Sequence, residues 1–297
     1  MNFQAMMSSS HFYQSVTMAF AALALPMAVV SAAEPLRLVL QNGRGLPVSA
    51  VAAQGSGFSV TAAVDGFTIG QVLPAESVDH VFGDKPPELN PAIALLLMDR
   101  PAEALKLLEP IVAAQRITAK IPGNFWLEAA RAALVAYAVT GNSSKCSDLG
   151  KEISDATPSK ESDPFVLLGK ALLLPASTKV EERAIFLRDL TSDSKAADVS
   201  AYASIYLGNL LKSAKRNPDA ALATQQDTET LEAYLMAPCL FSSGGLVLNG
   251  VAEFKASELL ITLGRREEAI ALLKSSARHS IGTLVVVEGN KRLESLK

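Results

Sequence analysis

Lys255-Ala256-Ser257-Glu258-Leu259-Leu260-Ile261-Thr262-Leu263-Gly264-Arg265-Arg266-Glu267-Glu268-Ala269-Ile270-Ala271-Leu272-Leu273 is the stretch that decides the fold of this chain. It reads as two amphipathic helices joined at a glycine. Gly264 suits the left-handed position that ends a helix, where a side chain would be strained. Ile270, Leu273 and Ala277 then recur on one face of the second helix, and Glu267 and Glu268 in its first turn complement the helix dipole. Such a hairpin leaves one apolar side uncovered, so it needs neighbours of its own kind.

Working upstream, the same pattern returns in weaker form. Asn90-Pro91 predicts a capped helix start, Ile93, Leu96 and Leu97 share a face, and Asp99-Arg100-Pro101 turns the chain. Ala104, Leu105, Leu108, Ile111 and Val112 form the returning stripe, with Pro110 predicting a kink. Residues 125–139 and 145–153 make a second pair around Gly141-Asn142. Asp163-Pro164 starts a third after a polar linker at 157–163, Pro175 stops its first arm, and 180–190 supplies the second. Residues 197–213 and 219–235 flank Arg216-Asn217-Pro218, with Pro238 expected to close that pair. The β-branched run Thr283–Val287 predicts a terminal strand or cap.

Glu103-Ala104 followed by Leu108, and Glu268-Ala269 followed by Leu273, resemble the tetratricopeptide repeat, and Gly264 sits at that family's inter-helix glycine. The resemblance implies that Ala104 and Ala269 are the small residues where two helices approach most closely. Turns near Arg100, Gly141, Ala176, Arg216 and Gly264 are spaced by about 35 to 48 residues, against about 34 in regular arrays. Glu253 and Leu260 stand where the family commonly has aromatic residues. The fold expected for 90–297 is therefore mainly α: a tetratricopeptide-like α-α superhelix, a right-handed solenoid of about five hairpins. Its packing residues are Ala104, Leu108, Gly264, Ala269 and Leu273.

A different pattern precedes the helices. Leu36, Leu38 and Leu40 alternate before Asn42-Gly43; Val48 to Val51, then Phe58, Val60 and Ala62 follow, with Gln54-Gly55-Ser56-Gly57 and Asp65-Gly66 as turns. These predict an antiparallel meander of three to five strands over 34–82, closing as a little barrel or leaning on the first helices. The order of strands and turns, ending in Leu73-Pro74-Ala75-Glu76-Ser77-Val78, resembles small SH3-like or Sm-like barrels. Arg37 and Arg44 are nearly its only cations, too few for RNA binding. Pro86-Pro87 makes 83–89 a linker.

The first 33 residues carry no Lys, Arg, Asp or Glu, and an apolar run ends at Ser31-Ala32-Ala33. This resembles a secretory signal peptide cleaved near Ala32 or Ala33, although its amino-terminal region lacks the usual cation; an uncleaved membrane anchor is the alternative. Export, periplasmic or secreted, is the expected localisation. It would permit a disulfide between Cys146 and Cys239, while two independent thiols fit a repeat array better.

Composition and motifs narrow the chemistry. Hydrophobic residues at 49% with only 6% aromatic favour helix-on-helix packing, and a net charge of −3 offers no general attraction for nucleic acid. Residues 34–297 hold two histidines, His80 and His279, without metal-ligand spacing, and no Gly-x-Ser-x-Gly or completed phosphate loop occurs. No cofactor is implied, and a non-enzymatic scaffold binding a protein or peptide in the cell envelope is expected. Its candidate partner-binding residues lie on the first helices of the hairpins, taken to line a concave groove: Arg131, Lys170, Tyr202, Asn209 and Lys255. The alternative is an envelope enzyme or carbohydrate-binding protein with a site between the β module and the first hairpin, near His80, Asp84 and Trp126; a purely structural assembly subunit is a third reading.

Overall fold

The computed structural model of the chain describes residues 34–157, 163–175, 177–193 and 196–297. The segment read as signal peptide or anchor, its cleavage site, most of the polar linker and Ala176 lie outside the described residues.

The alternation from Leu36 onward becomes two three-stranded antiparallel sheets. Strands β1 (Arg37–Leu40), β2 (Gly45–Pro47) and β6 (Val78–Phe82) form one, in the order β2-β1-β6; β3 (Val51–Gln54), β4 (Gly57–Val60) and β5 (Val72–Pro74) form the other, in that order. Leu38 lies opposite both Leu46 and Val81, and all three are buried, so register follows the apolar face. The module thus has six short strands rather than a three-to-five-strand meander, and the last returns to pair with the first. Residues 48–50 form a 3-10 turn where a strand was expected.

No barrel closes. Strands of three to five residues bury too little alone, and the gap is filled from the helical side: Ile121 and Ile117, between the first and second hairpins, pack into the β core. The Val81 amide donates to Pro122 O at 2.8 Å, and at Gly123, with φ of +81°, an added Cβ would overlap Val81 O. The module leans on the helices through this seam.

The described helical residues form α1 (Leu89–Leu97), α2 (Pro101–Gln115), α3 (Trp126–Val139), α4 (Ser143–Ala156), α5 (Pro164–Leu172), α6 (Val180–Asp193), α7 (Ala197–Ser213), α8 (Ala220–Leu240), α9 (Leu246–Thr262), α10 (Arg266–His279) and α11 (Leu284–Ser295). Five hairpins, α1–α2 to α9–α10, are followed by one further helix. Asp163 caps α5 by accepting from the Phe165 amide, with Pro164 at the first helical position, as the dipeptide predicts.

Three local readings change. Asn90 lies inside α1, which begins at Leu89, and makes no side-chain cap. Helix α8 runs through Pro238 to Leu240, because a proline so near the end costs only one backbone bond. Thr283–Val287 opens α11 rather than a strand: Thr283 Oγ1 accepts from the Val285 amide, and buried Val285 joins the main core, so cap and packing outweigh β-branched propensity.

The hairpin turns repeat in detail. Asp99, Gly141 and Gly264 have φ of +62°, +74° and +74°. In each case the next amide reaches back five residues: Arg100 to Leu95 O, Asn142 to Tyr137 O and Arg265 to Leu260 O, each at 2.9 Å. This is the hydrogen bond of a Schellman end. Five residues beyond each left-handed residue stands a small buried side chain, Ala104, Cys146 or Ala269. Arg100–Glu103 and Arg265–Glu268 are matching ion pairs on the first and last hairpins.

The first helices pack on one another in sequence: α1 on α3, α3 on α5, α5 on α7 and α7 on α9, and α9 returns to α1. Every residue from 199 to 208 and from 247 to 257 is buried. A helix covered all round lies within a core rather than along a groove. The concave surface expected along the first helices is therefore not open over their length, and access remains at the two ends of the ring.

Candidate functional site

Where α1, α3, α5 and α7 end, a hollow of about 600 Å³ opens. Its apolar wall comes from Val139, Leu172, Leu187 and Leu210, and its polar side from Asp99, Asn209, Lys255 and Tyr234. These four are linked. Lys255 Nζ donates to Asp99 Oδ2 at 2.7 Å, Asn209 Nδ2 donates to Asp99 Oδ1 at 3.3 Å, and Tyr234 OH donates to Asn209 Oδ1 at 2.9 Å. Asp99 owes its place to the left-handed turn after α1.

Burial disfavours the charged form of each buried group here. Lys255, 7% exposed, has its pKa lowered mainly by desolvation, with Asp99 opposing. Tyr206 and Tyr234 are raised well above the usual tyrosine value, mainly by burial, so both remain neutral phenols. The Tyr206 hydroxyl is buried without a hydrogen-bond partner among the described residues. Arg183 and Lys212 also line the hollow, and neither has an ion-pair partner among the described residues.

The opposite end of the ring has a smaller hollow of about 320 Å³, bordered by Arg131, Phe165, Asp198 and Tyr202. Arg131 donates to Asp163 Oδ2 at 2.6 Å and lies 3.5 Å from Asp198, with its guanidinium 5.0 Å from the Phe165 ring centre. Phe165 meets Tyr202 edge-on at 5.3 Å. Because Asp163 also caps α5, Arg131 ties α3 to the starts of α5 and α7. That is a packing clamp first.

The five candidate partner-binding residues are thus dispersed. Asn209 and Lys255 meet at the larger hollow, Arg131 and Tyr202 at the smaller, and Lys170 is exposed on α5 and lines neither. Tyr202 and Lys255, read as exposed, are buried, because the ring closes over them. Ala104, Leu108, Ala269 and Leu273 are fully buried, and Gly264 occupies the left-handed turn. Glu253 accepts from Ser275 at 2.8 Å and pairs with His279 at 2.9 Å.

Sequence reasoning missed Asp99, Tyr206 and Tyr234 as site residues. Asp99 was legible as a turn residue only. Of the trio near the β module, His80 pairs with its neighbour Asp79 at 2.8 Å, and Asp84 accepts from the Glu34 amide at 2.9 Å. Trp126 is 1% exposed within the helical core and offers no face to a sugar. Cys146 is buried and Cys239 exposed, and both are free thiols. Among the described residues no group of three His, Cys, Asp or Glu is placed to hold a metal, and no helix is long and apolar enough to cross a membrane. Comparison of the chain with protein-family models, with curated proteins and with solved structures returns no match.

Proposed function

We propose that this chain is an exported, non-enzymatic scaffold of tetratricopeptide-like hairpins that binds a protein or peptide partner in the cell envelope. Three hairpins with one turn geometry and one small-residue slot support the repeat reading. The partner reading rests on hairpin α5–α6. Its sequence-adjacent Ile185 and Phe186 are 54% and 52% exposed, and Leu167 is exposed one helical turn from Lys170. Large apolar side chains left exposed on both helices of one hairpin are the make-up of a contact surface.

Mild crosslinking in the native envelope, followed by affinity capture of the chain, tests this reading. One envelope protein should be recovered repeatedly, and an Ile185→Glu/Phe186→Glu double variant with an unchanged melting curve should lose it. Failure to recover any protein repeatedly overturns the scaffold reading. Undiminished capture by the double variant overturns the placement on α5–α6.

A further inference from the structure

We propose that the hollow where the first helices end is a binding site for a neutral polyhydroxylated ligand, a saccharide of one or two rings. Its volume, about 600 Å³, is within the range of small-molecule sites. Three observations identify the chemistry.

The first is a fixed set of donors and acceptors. Asp99 receives Lys255 and Asn209, and Asn209 receives Tyr234, so these side chains are already oriented by one another. The Asp99 side chain is still 69% exposed, so its carboxylate retains acceptor capacity toward the hollow. The carboxylate accepts from one hydroxyl while the neighbouring amide and ammonium donate to the next, which vicinal hydroxyls satisfy together.

The second is Tyr206. It lines the hollow, is more than nine-tenths buried, and its hydroxyl has no partner among the described residues. Leaving such a group unmatched costs about 1–3 kcal/mol; the hydroxyl is closed off in the empty hollow, so a ligand hydroxyl gains this bond when the lining side chains shift to admit it.

The third is the charge balance. Lys255 is matched by Asp99, and Glu258, beside Lys212 in the adjoining hollow, is matched by Arg292 at 2.7 Å. Arg183 and Lys212 remain on the lining, where α3, α5 and α7 also end, and the partial negative charge of those helix ends opposes the two cations. A site balanced in this way favours a neutral ligand over an anion or a cation. Leu172, Leu187 and Leu210 give the apolar C–H face of a sugar ring its wall.

The inference is independent of the partner reading, since α5–α6 presents Ile185 and Phe186 whether or not the hollow is filled. Saturation-transfer NMR on the full chain, with maltose, cellobiose and N,N′-diacetylchitobiose as probes and octanoate and octylammonium as charged controls, tests it. At least one saccharide should bind saturably with a dissociation constant of about 1 mM or tighter. Tyr206→Phe and Asp99→Asn should each weaken it at least threefold without lowering the melting temperature enough to unfold the chain, while Lys151→Ala, exposed on α4 and away from the hollow, leaves it unchanged. No saturable binding by any saccharide, equal binding by the Tyr206→Phe and Asp99→Asn variants, or tighter binding of either charged control overturns the proposal.

Discussion

Replacing Gly208 by alanine tests how closely α7 and α8 are packed, because the same substitution at Gly289 should act with the opposite sign. A Cβ at Gly208 would lie 2.5 Å from Cδ1 and Cε1 of Tyr234 and 2.9 Å from its Cζ. Carbon atoms prefer about 3.5–4.0 Å, so the ring must retreat by about 1 Å. Tyr234 is 1% exposed and its hydroxyl is bonded to Asn209, which leaves little room for retreat. Overpacking of this kind costs about 1–3 kcal/mol, and straining the tyrosine hydrogen bond adds about 1 kcal/mol. Helix propensity returns about 1 kcal/mol. The net expectation is a loss of about 1–3 kcal/mol, a fall in melting temperature of roughly 2–10 °C for a unit of this size. At Gly289 in α11 an added Cβ meets nothing within 4 Å, so only the propensity term remains, and Gly289→Ala should gain about 1 kcal/mol. Thermal melts followed by circular dichroism compare the two. A Gly208→Ala protein that melts at or above the wild-type temperature refutes the claim that glycine is required for the α7–α8 approach.

Three further expectations follow from single residues. Burial lowers the Lys255 pKa in the folded chain, so between that value and about 10.4 the unfolded chain binds more protons and stability rises with pH; Lys255→Met should remove this rise from urea midpoints measured between pH 7 and 10, and an unchanged slope would count against it. Cys239 should react at once with a thiol reagent while Cys146, buried and with its pKa raised by desolvation, reacts only on unfolding, so two fast thiols, or none, would contradict the free and unequal pair. Gly123→Ala should break the seam between β6 and the helices, at a cost of about 1–3 kcal/mol from backbone strain, seen as faster hydrogen exchange at the Val81 amide that normally bonds Pro122; unchanged exchange there would show that the seam does not hold the module.

Much of the architecture was legible in particular residues. Gly264, Gly141 and Asp99 mark turns because each demand is met within about five residues of chain, and Asp163-Pro164 marks a helix start for the same reason. Ala104 and Ala269 were readable as small-residue slots, whereas Cys146 in the equivalent slot was read only as a thiol. Thr283–Val287 misled because β-branched propensity is a weak local preference that a capped, packed helix overrides. The candidate site was scarcely legible: Asn209 and Lys255 were named, but their meeting point, Asp99, lies 110 and 156 residues away from them.

By itself, then, the sequence determined the turns that divide the five hairpins, that the β-rich part precedes the helices, and that the hairpins share an apolar side. Only the tertiary structure decided that β6 pairs back onto β1, that Ile117 and Ile121 complete the β core, and that α9 returns to α1. Turns and caps are satisfied by near neighbours and so leave a local signature. Ring closure depends on small rotations accumulated from hairpin to hairpin, and no single stretch of residues carries that sum. The same closure buries Tyr202 and Lys255, and brings Asp99, Asn209 and Lys255 to one hollow.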